Sequence, residues 1–104
     1  MNTSLEAPTE EAEILNSVFK PADERSNEPI FYMQFSDIMR ILREESNNNY
    51  LKIFPLQTAM RKYGFQTRSV KMRRFAMQPR NLYPVQLINY TEGMKDRLYQ
   101  YRKE

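Results

Sequence analysis

Among its 104 residues the chain has no cysteine, no histidine and no tryptophan, and only two glycines. The first two absences exclude disulfide frameworks, thiolate or imidazole metal sites, and every catalytic pair built on Cys/His or Ser/His. With two glycines, neither a P-loop nor a dinucleotide fingerprint can be built. No apolar run approaches the ~18–20 residues of a membrane span, and the N-terminal MNTSLEAPTE lacks the basic-then-apolar layout of a secretory signal. The carboxylates fall in helix starts and loops, where capping and solubility account for them. The expectation is a cytoplasmic, non-enzymatic protein without cofactor or metal and without a membrane partner. A hydrophobic fraction of 40% and a charged fraction of 28% suit one modest core.

The formal net charge of +3 conceals an uneven distribution. Residues 1–45 hold ten acids against four bases, whereas residues 46–91 hold no acid and eight bases. Those bases are Lys52, Arg61, Lys62, Arg68, Lys71, Arg73, Arg74 and Arg80. An acid-free, basic half is the footprint of a surface that meets phosphates. The alternative is a domain whose acidic and basic halves face each other once folded.

Residues 1–8 read as a flexible tail and residues 9–104 as one domain. Thr9, followed by Glu10, Glu11 and Glu13, marks a helix start, and Ile14, Leu15, Val18 and Phe19 recur at helical spacing until Pro21 closes the segment. PADERSNEP has the composition of a loop, and Ile30 to Met33 that of a short strand. Ser36 is placed to cap a second helix with Ile38, Ile41 and Leu42 on one face, ended by Ser46-Asn47-Asn48-Asn49. Pro55 suits the first position of a third helix, with Leu56, Ala59, Met60 and Tyr63 on its inner side and Gly64 as terminator. Two strands follow around a basic connection, Phe65 to Val70 and Tyr83 to Leu87. Pro84, which cannot donate to a ladder, places the second of them at a sheet edge. Thr91 opens a closing helix bearing Met94, Leu98 and Tyr101.

This order predicts an α+β fold: a winged helix-turn-helix with an N-terminal helix, a small antiparallel wing and a C-terminal helix. In that layout Gln57, Thr58, Arg61 and Lys62 lie on the exposed side of the third helix, able to contact base edges and phosphates. Arg68, Lys71, Arg73, Arg74 and Arg80 lie on the wing. These nine are the candidate nucleic-acid-binding residues. Ordinary helix solvation accounts for Gln57 and Thr58 nearly as well, and cations in a last helical turn complement its dipole whatever the ligand. Phe19, Tyr63 and Phe65 are expected in the core. Phe75 either packs under the wing or presents its ring to a partner.

Three stretches, FSDIMRILREE, PLQTAMRKYGFQTR and NLYPVQLI, carry a resemblance. They are similar to the winged-helix domain at the C-terminal end of VirE-type helicase–primase proteins of plasmids, phages and other mobile elements. A Ser-Asp-Ile helix start, the block from Leu56 through Gly64-Phe65, and Tyr83-x-Val85 are the matching features, together with the lead-in EILNSVFKPADE. The resemblance covers roughly residues 13–88, mostly at core positions and one turn. It implies a DNA-binding module, for single- or double-stranded DNA, accessory to a helicase–primase ATPase partner. Two departures stand out: the wing tip lacks its usual glycine, and no ATPase or primase motif is present, as suits an excised domain or a free-standing relative. The second reading is a protein–protein adaptor, which needs an exposed apolar patch such as one around Phe75, Met77 and Leu82.

Overall fold

Thr9 opens the first helix: its hydroxyl accepts the Ala12 amide at 3.1 Å, and α1 runs Glu10–Val18. The computed structural model describes residues 8–103, so the tail expected over residues 1–8 lies, save for Pro8, outside the described residues. The helix stops before Phe19, which the apolar spacing had assigned to it. Phe19–Pro21 is instead a strand, β1, and Phe19 pairs with Leu87. Lys20 precedes a proline, which disfavours helical backbone there, and extended backbone lets the Phe19 ring enter the core.

β2 (Phe31–Met33) leads into α2 (Phe35–Ser46). Ser36, expected as the cap, lies inside the helix; the cap is Gln34, whose amide donates to the Asp37 carboxylate at 3.1 Å. Asp37 stands three residues beyond Gln34, the reach of a capping box. At the far end Asn47 adopts φ 53°, and the Asn48 amide returns to the Arg43 carbonyl at 3.0 Å. α3 (Ile53–Lys62) begins two residues before Pro55, so Ile53 and Phe54 belong to its first turn. Proline is harmless there because the first-turn amides have no intrahelical acceptor. Leu56, Ala59 and Met60 are buried. Gly64 closes the helix at φ 85°, with the Phe65 amide donating to the Met60 carbonyl at 2.8 Å, a Schellman bond between two buried residues. Glu11 does more than charge the start of α1: its carboxylate accepts the Lys52 amide at 2.7 Å and ties α1 to the entry of α3.

β3 (Arg68–Lys71) and β4 (Pro79–Leu87) form a hairpin. The first half of β4 pairs with β3, and its second half lies between β1 and β2, all antiparallel. β4 is therefore the central strand and not the edge that Pro84 suggested. The proline is tolerated because the Pro84 carbonyl accepts the Ala22 amide at 3.1 Å just beyond β1. Its nitrogen thus faces the side where the β1 ladder has already ended.

Strand alternation gives this sheet two different faces. Tyr83, Val85 and Leu87, with Phe31 and Met33 opposite them, face the helices and build the main core with Leu15, Ile38, Leu42 and Leu56. Leu82 faces the other way and forms a small second cluster with Val70 and Met72, against which Tyr32 and Phe75 pack. Thr91 caps α4 (Glu92–Arg97) through the Met94 amide at 3.2 Å, and a 3-10 turn at Tyr99–Tyr101 buries Leu98 and Tyr101. The described residues form an α+β domain of four helices and a small antiparallel sheet.

Candidate nucleic-acid interface

The outer side of α3 is set by its burial pattern. With Leu56, Ala59 and Met60 inward, Gln57, Thr58, Arg61 and Lys62 are all exposed, as their spacing predicts. Tyr63 does not join the core. Its ring is 38% exposed and carries the Lys62 ammonium 5.5 Å from its centroid. The cause is the Schellman closure, which turns the chain at Gly64 and sends Phe65 inward in place of Tyr63. Phe19 and Phe65 are buried as expected.

The hairpin divides its bases between two faces. Arg68 pairs across the ladder with Leu82, and Val70 with Arg80, so both arginines share the face of the small apolar cluster. Lys71 pairs with Pro79 and shares the opposite face, the one that further along β4 carries the helices. Alternation therefore puts Lys71 on the helix-bearing side of the sheet and sets Arg68 and Arg80 on the far side. Several of the far-side cations already have partners. Arg68 is paired with Glu24 at 2.5 Å, a link between the acidic and basic halves of the chain. Arg80 stacks on Phe75 at 4.6 Å from the ring centroid. Arg61, Lys62 and Lys71 have no acidic partner among the described residues.

Arg74 is the base whose surroundings differ most from a free phosphate ligand. Its guanidinium lies 4.2 Å from the centroid of Phe75 and 5.0 Å from that of Tyr101, and it donates to the Tyr32 carbonyl at 2.9 Å. It thereby joins the hairpin to β2 and to the chain's last turn, while Phe75 packs under the hairpin. Arg74→Ala is accordingly expected to lower stability by about 1–2 kcal/mol, a fall of several degrees in melting temperature. An unchanged melting temperature would show that these contacts carry no weight.

The tip between the strands is closed without glycine. Arg73–Phe75 forms a 3-10 turn, Ala76 and Met77 adopt φ 53° and 60°, and the Met77 amide bonds the Met72 carbonyl at 3.0 Å. Beside it lies a cavity of about 620 Å³ lined by Arg73, Arg74, Arg102 and Lys103 with Met72, Tyr99 and Gln100. Four of its lining residues are basic. Arg102 reaches this place through a bridge to Phe31. Sequence reasoning had no means of joining residues 102–103 to the hairpin, because the link is that long-range pairing.

Two further exposed residues escaped the sequence reading: Phe54 and Tyr50, 72% and 88% exposed. Taking Ile53-Phe54 as a lead-in to Pro55 hid the fact that Phe54 belongs to α3. The signal available was the spacing of Phe54, Thr58 and Arg61 at i, i+4 and i+7. Conversely, the apolar patch imagined around Phe75, Met77 and Leu82 does not form. Leu82 is buried, Phe75 is partly buried, and Met77 alone of the three is exposed.

The described residues contain no cluster of carboxylates that could hold a metal ion, and no helix long and apolar enough to cross a membrane. A scan against protein-family models, a search of curated proteins and a search of solved structures each found no match to this chain.

Proposed function

We propose that this domain is a winged-helix module that binds nucleic acid through its phosphates and has no catalytic activity of its own. The winged-helix reading is supported by the order α1, β1, β2, α2, α3, β3, β4, in which β4 returns from the hairpin to pair with β2, with β1 added on its other side. The observation that carries the function is the set of exposed cations Arg61, Lys62 and Lys71, on the helix-bearing side of the sheet and without an acidic partner among the described residues. Exposed charges of one sign, such as the adjacent Arg61 and Lys62, repel, and an anionic ligand relieves that repulsion. α3 and the hairpin then act as two arms on one backbone, with Gln57 and Thr58 between the phosphate contacts.

A role beside a helicase–primase of a mobile element rests on the sequence resemblance alone. The experiment is fluorescence anisotropy with labelled single-stranded, duplex and forked DNA at low and high salt. Binding that weakens as salt rises is the expected result. Absence of binding to all three at low salt would overturn the reading and favour the adaptor.

A further inference from the structure

We infer that the outer face of α3 is a stacking platform for unpaired bases, so that the nucleic acid it prefers is single-stranded; the inference rests on the nucleic-acid reading above. Phe54 is 72% exposed in the first turn of α3, and helical spacing puts it in one stripe with Thr58 and Arg61. Tyr50, 88% exposed, precedes the helix by three residues, in a turn fixed by the Asn48 carboxamide accepting the Tyr50 amide at 2.8 Å. Lys52 stands between the two aromatics and is itself exposed. Ile53 is exposed as well and lines a groove of about 480 Å³ with Phe35 and Met39 of α2.

Aromatic rings left in water at these positions contribute nothing to the core, and along the chain they alternate with the cations Lys52 and Arg61; the α1 carboxylates beside them, Glu10 and Glu11, are engaged by the Asn48 carboxamide and the Lys52 amide. That mixture matches a single strand, whose bases offer their faces to rings while the phosphates meet Lys and Arg. A duplex shows only base edges in its grooves, and a phenylalanine has no hydrogen bond to give them. A protein partner for the same rings would have to be acidic to suit Lys52, Arg61 and Lys62. The nearby apolar groove by itself does not choose between occupants, but the charge does.

Because the chain has no tryptophan, Phe54→Trp places a single indole reporter at the centre of the face. A single-stranded oligothymidylate is expected to quench its emission, and a hairpin duplex is expected to leave it nearly unchanged. Phe54→Ala should weaken oligothymidylate binding about tenfold or more while changing duplex binding less than about twofold. Its melting temperature should match the parent's, since the ring is exposed. If Phe54→Ala leaves single-strand affinity intact while reversal of Arg61 and Lys71 removes it, the stacking inference fails and the phosphate reading survives. Indole emission that follows protein concentration and ignores the oligonucleotide would assign the face to a second copy and overturn the inference. Failure of the parent protein to bind either probe at low salt would overturn both.

Discussion

Reversing Arg61 and Lys71 together to glutamate is expected to cost roughly 100-fold in nucleic-acid affinity at low salt, with the fold intact. Each cation is exposed, and neither makes an ion pair among the described residues, so little native structure depends on them. Each reversal removes a charge-assisted contact to phosphate and adds a like charge beside the strand. Arg61 also sits in the last turn of α3, where a cation complements the helix dipole. That accounts for a loss of a few tenths of a kcal/mol in stability and no more. Anisotropy titration beside a thermal melt separates the two effects. Unchanged affinity would remove α3 and the inner side of the hairpin from the interface. The pair is chosen over Arg73 and Arg74, which the wing spacing makes the obvious targets. Arg74 holds the hairpin to Tyr32 and Tyr101, so its reversal would confound lost binding with lost structure.

The largest effect on stability is expected at a polar residue. Gln86 is 0% exposed near the end of β4, pointing away from the helix-side core that Val85 and Leu87 enter. On that outer face the loop between β1 and β2 crosses over it. The Gln86 carboxamide oxygen accepts the Asp23 amide at 2.9 Å, and its nitrogen donates to the carbonyls of Glu28 at 3.0 Å and Asp23 at 3.3 Å. One side chain thereby satisfies three backbone groups of a loop that has no ladder of its own. Gln86→Leu keeps the volume and strands all three, at a cost of about 3 kcal/mol. A domain of this size has roughly 5–15 kcal/mol in total, so the melting temperature should fall by roughly 12 °C or more. Faster hydrogen exchange at the Asp23 amide should accompany it. A melting temperature within about 2 °C of the parent's would mean that water replaces the side chain at little cost.

What was legible in the sequence is what is decided within one turn of chain. The Thr9 and Thr91 caps, the inward stripe of Leu56, Ala59 and Met60, and the glycine closure at Gly64 all follow from nearest neighbours. What was not legible depends on partners far away. β1 is a three-residue strand that exists because Leu87 and Val85 lie beside it. Pro84 tolerates a central strand because β1 is short, which no local rule states. The nine candidate residues do fall on α3 and the hairpin region, but ladder parity separates Lys71 from Arg68 and Arg80, and parity requires the register. Gln86 gave no local signal at all, since its three partners lie 58 and 63 residues away. Composition did foreshadow the electrostatics. The acid-free stretch remains an exposed cationic surface at Arg61, Lys62 and Lys71, whereas Arg68 is paired with Glu24 across the two halves.

The most direct test of the central claim is the salt dependence of affinity for DNA. If Lys52, Arg61, Lys62 and Lys71 each meet a phosphate, a plot of log affinity against log salt should fall with a slope of about −3. The Arg61→Glu, Lys71→Glu variant should flatten that slope by roughly half. A slope near zero for the parent protein, or the same slope for both proteins, would contradict phosphate recognition by this face.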